Sequence, residues 1–168
     1  MLVISDTNIL GSFAAGEAIP SLFRLFPRTT IFIPPAIHQE LQVGLNHGQT
    51  HLKSVLEALN QGKLQLLHLS NSEKQFTQQL PKKLNAGECE AIALSQARKA
   101  LLLSNDKRAV RYCREHGIKV VDLPVLLRWL WTRNIVSQTE VKVLLDKMKT
   151  VENLQLSQNA LATVFAPR

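Results

Sequence analysis

The chain has 168 residues, with 20 Lys plus Arg against 13 Asp plus Glu, a formal net charge of +7 and 45% hydrophobic residues. That is globular composition at single-domain length, which excludes a disordered chain, and only Cys89 and Cys113 occur, which excludes a disulfide framework. The surplus of basic residues suits an anionic partner such as nucleic acid, although charge of this kind speaks to solubility and steering before function.

Leu2 to Ser5 is a short apolar run ending at Asp6 and reads as a buried strand. Ile19, Leu22, Phe23 and Phe26 keep the spacing of an amphipathic helix, and Thr30 to Ile33 is β-branched and aromatic, a second strand. Pro34-Pro35 ends that strand and opens a helix, since proline is tolerated in a first turn. Leu52, Val55, Leu56 and Leu59 give a further helical face, and Leu64 to Leu69 reads as a strand after Gly62. Ser70 with Glu73 forms a capping box for a helix stopping near Pro81.

Asn85-Ala-Gly-Glu88 is an N-cap with Glu at the third position, predicting a helix to about Lys99. Leu101 to Ser104 is a strand, followed by Asp106 and a basic helix ending at Gly117. Lys119 to Val121 is a strand, and Pro124 opens another helix. Its neighbourhood, Leu123 to Trp131, is the most apolar late segment, but Arg128 breaks it and it is too short to span a bilayer. Ser137 with Glu140 caps a helix to about Lys149, and Ser157 caps a last one reaching Phe165. Strands alternating with helices predict an α/β domain with a mainly parallel sheet covered on both faces. No linker divides the chain, so residues 1–168 read as one domain with its core over about 1–123 and C-terminal helices over about 124–168. The opening residues lack the basic flank of a signal peptide, and a cytoplasmic location is expected.

In such sheets ligands bind beyond the carboxyl ends of the strands, where Asp6 and Asp106 fall. Each has a plain alternative role as a helix N-cap, and Glu88 has one as the capping-box residue. Glu40 sits early in the helix after Pro34-Pro35, where a solvated acid is ordinary. Glu88 and Glu90 lie about 200° apart around a helix, so either is the primary site residue and the other marginal. Mg²⁺ and Mn²⁺ prefer oxygen ligands. Two carboxylates about 4 Å apart repel by about 4 kcal/mol at an effective dielectric near 20, which a bound cation would offset.

Asp6-Thr-Asn8 after the first strand, Glu40, Glu88 and Ser104-Asn-Asp106 together resemble the acidic signature of PIN domains, metal-dependent ribonucleases that include the VapC toxins. Glu88 lies sixteen positions before Ser104, the family's spacing, and Gly87-Glu-x-Glu-Ala-Ile92 resembles a PIN branch in which both glutamates recur. The resemblance implies an α/β/α sandwich and a Mg²⁺- or Mn²⁺-dependent endoribonuclease. Asp6, Glu88 and Asp106 would hold the metal, with Glu40 bound directly or through water. Asn8, Ser104 and Glu90 would support them. It further implies a small antitoxin partner and a homodimer. Glutamate at the third acidic position departs from relatives that carry Asp there. The alternative is a non-catalytic module of the same fold that binds RNA or protein.

Lys107, Arg111 and Arg114 share one helix face beside Asp106, with Arg108 and Lys82-Lys83 nearby, a patch suited to RNA phosphates or simply a solvated face. His47 and His51 are four apart, but without Glu at 48 they read as surface histidines. Cys89 reads as a packed helical thiol, and Trp129 and Trp131 as anchors of core or of a dimer surface. Asn8 stands where a haloacid-dehalogenase-like phosphatase would need its second Asp, and no receiver-type Asp follows Leu64 to Leu69.

Overall fold

The computed structural model describes residues 1–168. Five short parallel strands, β1 (Val3–Ser5), β2 (Ile31–Ile33), β3 (Leu64–Leu66), β4 (Leu101–Leu103) and β5 (Val120–Val121), form one sheet in the order β3-β2-β1-β4-β5. Val3 stands opposite both Ile31 and Leu101, which fixes the register of the central three strands. All residues of β1 and β4 are buried although successive side chains point to opposite faces, so both faces are covered and the architecture is three-layered.

Ten helices supply that cover: α1 (Thr7–Ala15), α2 (Ile19–Leu25), α3 (Pro35–Asn46), α4 (Lys53–Asn60), α5 (Asn71–Thr77), α6 (Ala86–Ala97), α7 (Lys107–Glu115), α8 (Leu123–Thr132), α9 (Gln138–Glu152) and α10 (Gln158–Val164). A 3₁₀ turn, Thr50–Leu52, leads into α4. Helix α1 packs against α2, α3, α4 and α9, whereas α6 packs against β1, β4, α5 and α3. One continuous hydrophobic cluster runs from Val3 through Leu94 and Leu103 to Met148 and Val164, so the C-terminal helices share the core. Trp131 is buried there, and its indole N–H donates to the Val164 carbonyl at 2.7 Å. No helix is long and apolar enough to cross a membrane.

Strand β3 ends at Leu66 and not at Leu69. Its partner β2 runs into Pro34, which has no N–H to offer, and the last bond of the pair is Leu67 N–H to the Ile33 carbonyl. The chain then turns to the Ser70 cap of α5.

The order of the strands positions the site. From β1 the chain adds β2 and β3 on one side, then crosses to place β4 and β5 on the other. The carboxyl ends of β1 and β4 therefore flank the point where the winding reverses, and a crevice opens there. Asp6 and Asp106 follow those two strands.

Away from the crevice, Glu73 and Arg98 lock α5 to the end of α6. Arg98 Nε donates to Glu73 Oε1 at 2.8 Å and Nη2 to Oε2 at 2.9 Å, while Ser70 N–H donates to Oε2 at 2.7 Å. The guanidinium holds the Glu73 carboxyl down at about 2, and Glu73 is only 6% exposed. A carboxyl whose folded value lies below its ordinary 4.5 stabilises the fold fully above pH 4.5 and loses that stabilisation as pH falls toward 2. Glu73→Gln should destabilise the protein by about 2 kcal/mol at pH 7, the scale of a charge-assisted pair. Urea titrations should show the gap between wild type and variant closing between pH 4.5 and about 2.

Candidate functional site

Asp6 is the buried centre of the crevice, 4% exposed. Its Oδ1 accepts the Ile9 N–H at 2.8 Å, capping α1, and its Oδ2 accepts the Ser104 hydroxyl at 2.6 Å and the Asn105 N–H at 3.3 Å. Ser104 Oγ in turn accepts the Asp106 N–H at 3.3 Å, so one hydroxyl links the loops after β1 and β4. Burial pushes the Asp6 carboxyl up to about 6; the bonds from Ser104, Ile9 and Asn105 pull against that, and the Glu88 charge adds a little to it.

The other acids arrive on helices. Glu40 projects from α3 and accepts the Thr7 hydroxyl. Glu88 occupies the third position of α6 in a complete capping box: Asn85 N–H donates to Glu88 Oε2 at 3.0 Å, and Glu88 N–H donates to Asn85 Oδ1 at 2.8 Å. Asp106 caps α7 by accepting the Arg108 and Ala109 N–H groups, both at 2.9 Å. Partial burial raises the Glu88 carboxyl, and the Asp106 and Glu40 charges raise it further against the Arg108 guanidinium and the Asn85 bond.

Asp6, Glu40 and Glu88 line a single small hollow of about 20 Å³, together with Thr7, Asn8, Asn85 and Gly87. That is room for one water or one ion. Asp106 does not line it, though its charge reaches Glu88. Gly87 makes the approach of α6 to α3 feasible, because a Cβ there would meet Glu40 Oε1 at 2.5 Å and Ile37 Cγ1 at 2.9 Å. The donor chemistry, three carboxylates with amide and hydroxyl neighbours, fits a hard divalent cation. As the side chains stand, no three of them converge at ligand distance, because each carboxylate is engaged by a cap or a hydroxyl.

Glu90 lies elsewhere. Its Oε2 accepts the Ala36 N–H at 2.8 Å, satisfying the start of α3, the helix that carries Glu40. Asn8 and Ser104 sit at the crevice. Of the basic face, Lys107, Arg111 and Arg114 line a cleft with Asn105, but Arg111 pairs with Glu115 at 2.8 Å and Arg114 with Asp122 at 3.2 Å. Arg108 reaches the Lys83 carbonyl at 3.1 Å, beside Glu88. The histidines do not act as a pair: His47 is exposed at the end of α3, while His51 Nε2 faces Glu152 Oε1 at 3.3 Å.

Sequence reasoning passed over Thr7, Gly87 and Asn105. Gly87 was visible inside the Asn85–Glu88 capping box, where glycine is a poor helix former and so points to a close approach. The contacts of Thr7 and Asn105 are made with residues distant in the chain and leave no local signal.

A doubly wound parallel sheet with acids at its reversal point and a carboxylate hollow between α3 and α6 defines an α/β/α domain of PIN type. The chain belongs to the PIN-domain family, whose model matches residues 2–166, and PIN domains are generally nucleases. Among solved structures, it resembles a chain of VapBC2 from Rickettsia felis, crystallised bound to a DNA fragment from their promoter. That likeness has a TM-score of 0.55 at 18% identity and covers 73% of this chain and 99% of the other, a likeness of fold. No curated protein matches the chain.

Two outcomes follow from the geometry. Because the folded Asp6 carboxyl titrates near 6 and not near 3.8, its ionisation opposes folding increasingly from pH 4 to 6 and fully above 6. Relative to wild type, Asp6→Asn should therefore gain about 1–3 kcal/mol of apo stability between pH 4 and pH 8 in denaturant titrations, on top of a pH-independent loss where its amide NH2 meets a donor that the carboxylate accepted. Gly87→Ala should lower stability by about 1–3 kcal/mol through overpacking against buried Ile37. It should also displace Glu40, read as weaker Mn²⁺ binding by calorimetry in the folded variant.

Proposed function

We propose that the protein is a Mg²⁺- or Mn²⁺-dependent endoribonuclease of the toxin type. The observation that carries the reading is the ion-sized hollow that Asp6, Glu40 and Glu88 share at the sheet's reversal point. Asp6, Glu40 and Glu88 would hold the cation from within the hollow, Asp106 would join them from its rim directly or through a water, and Asn8 and Ser104 would orient the set. When bound, the cation supplies an activated water and neutralises charge on the phosphoryl group. Ser104 fixes the Asp6 carboxylate by its 2.6 Å hydrogen bond, and with the Ile9 and Asn105 N–H groups also bound about one of its roughly four lone-pair positions is left for ligation. Glu88 would turn from the Asn85 backbone toward the hollow, and the raised carboxyls of Asp6 and Glu88 would release protons on loading. Lys107, Arg108, Arg111 and Arg114 would hold RNA phosphates on either side, exchanging the ion pairs at 111 and 114 for backbone contacts. In-line attack on the phosphodiester would leave a 5′-phosphate and a 3′-hydroxyl. A small protein antitoxin belongs to this reading, supported by the VapBC2 likeness, and a homodimer belongs to it through the family resemblance alone.

A second reading is a non-catalytic module of the same fold binding RNA or protein. What favours it is the commitment of all four acids of the site, Asp6, Glu40, Glu88 and Asp106, to a cap or hydroxyl.

With Mn²⁺, the purified full chain should cut RNA from a broad pool, and chelation should abolish the cut. Asp6→Asn and Asp106→Asn should each lose activity by about 100-fold or more and weaken Mn²⁺ binding while staying folded. Equal activity and metal affinity in all three proteins would overturn the site. A wild type that is folded and antitoxin-free yet cuts nothing would leave the binding module standing.

A further inference from the structure

Beside the acidic hollow, and sharing Thr7 and Asn8 with it, lies a second cleft of about 640 Å³. Its volume is within the ordinary range of small-molecule sites. Its floor is Gly11 and Ser12 of α1; one wall is Gln49 and His51, and the other is Thr150, Glu152 and Asn153 at the end of α9. The floor is built for close packing. A Cβ at Gly11 would stand 2.8 Å from Glu152 Oε1, so the carboxylate lies against α1 where a larger residue would make it shift. Glu152 Oε2 accepts the Ser12 hydroxyl at 2.9 Å, and Oε1 faces His51 Nε2. These contacts fix the wall at residues 150–153 against elements almost the full chain length away.

The lining chemistry selects among ligands. Ten of the 13 lining residues are not hydrophobic, and neither Lys nor Arg is among them. A phosphate would find no cation there. The groups on offer are the amides of Asn8, Gln49, Asn105 and Asn153 and the fixed acceptor Glu152, a set that reads the edges of an unpaired base. The cations are in the neighbouring cleft, where Lys107, Arg111 and Arg114 stand and which meets this one at Asn105 and Leu154. A single strand laid across the site would thus have its backbone in the basic cleft and one splayed base in the amide cleft.

We infer that the cleft between α1 and the end of α9 is a base-recognition subsite for one unpaired nucleotide flanking the acidic hollow. The inference rests on the nuclease reading for its biological meaning, but its binding chemistry stands apart from metal and cleavage. Gln49 and Asn153 would be specificity-determining residues.

The test titrates the full chain, without metal, with AMP, GMP, CMP and UMP and with ribose 5-phosphate as the base-free control. Side-chain amide signals in NMR report the site. At least one nucleotide should bind about tenfold more tightly than ribose 5-phosphate and than the weakest nucleotide. Gln49→Leu and Asn153→Gly should lose that discrimination with thermal stability kept. Asn153 has φ +55°, so glycine preserves the backbone there. Equal binding of all five ligands, no binding of any, or discrimination unchanged in both variants would overturn the subsite. A wild type that cuts no RNA but discriminates nucleotides sinks the nuclease reading alone. One that cuts every sequence equally and binds no nucleotide sinks the subsite alone.

Discussion

The buried carboxylate of Asp6 ties the start of α1 to the segment that follows β4. Its own N–H extends the ladder to β4 through the Leu103 carbonyl, and its oxygens take one donor from α1 and two from the segment after β4. A charge in that position carries a desolvation penalty, which the raised carboxyl records. Three hydrogen bonds offset the penalty in part and hold the loops after β1 and β4 in one arrangement. The neighbouring acids are set around this point: Glu40 through Thr7, the residue after Asp6, and Asp106 through Ser104.

The carboxylates serve two purposes that compete for the same oxygens. Asp6, Glu88 and Asp106 each satisfy orphan N–H groups at a helix start, and the partial positive charge there lowers the cost of gathering acids at one rim. A carboxylate has about four lone-pair positions, so a cap does not exhaust it. The rim is therefore stable without a cation, yet keeps acceptors for one. Helix N-termini pointing at the carboxyl edge of a parallel sheet make this arrangement economical in sequence: one Asp or Glu both starts the helix and faces the crevice.

That economy explains what could be read from the chain. The five strands, the three capping boxes at Ser70, Asn85 and Ser137, and the caps at Asp6, Asp106 and Ser157 are local signals, and the structure has all of them. The position of Asp6 and Asp106 at strand ends was legible for the same reason. Helix geometry left the choice between Glu88 and Glu90 open, because both lie within one turn of α6, and only the family's sixteen-residue spacing to Ser104 favoured Glu88. In the structure Glu88 faces the hollow and Glu90 reaches the Ala36 N–H. The Glu152–Ser12–His51 cluster was invisible too, since its members are 140 and 101 positions apart and none sits in a recognisable pattern.

The docking of Glu152 on Gly11 and Ser12 separates two kinds of inheritance within one chain. Every acid at the rim is in place by residue 106, whereas the far wall of the adjoining cleft comes from residues 150–153. Substitutions in distant, non-contacting positions act nearly independently. The end of α9 can thus drift, exchanging Thr150 or Asn153 for other side chains, while Glu152 keeps the segment anchored and the acids stay where they are. A lineage built on this scaffold could diversify the cleft without reopening its chemistry.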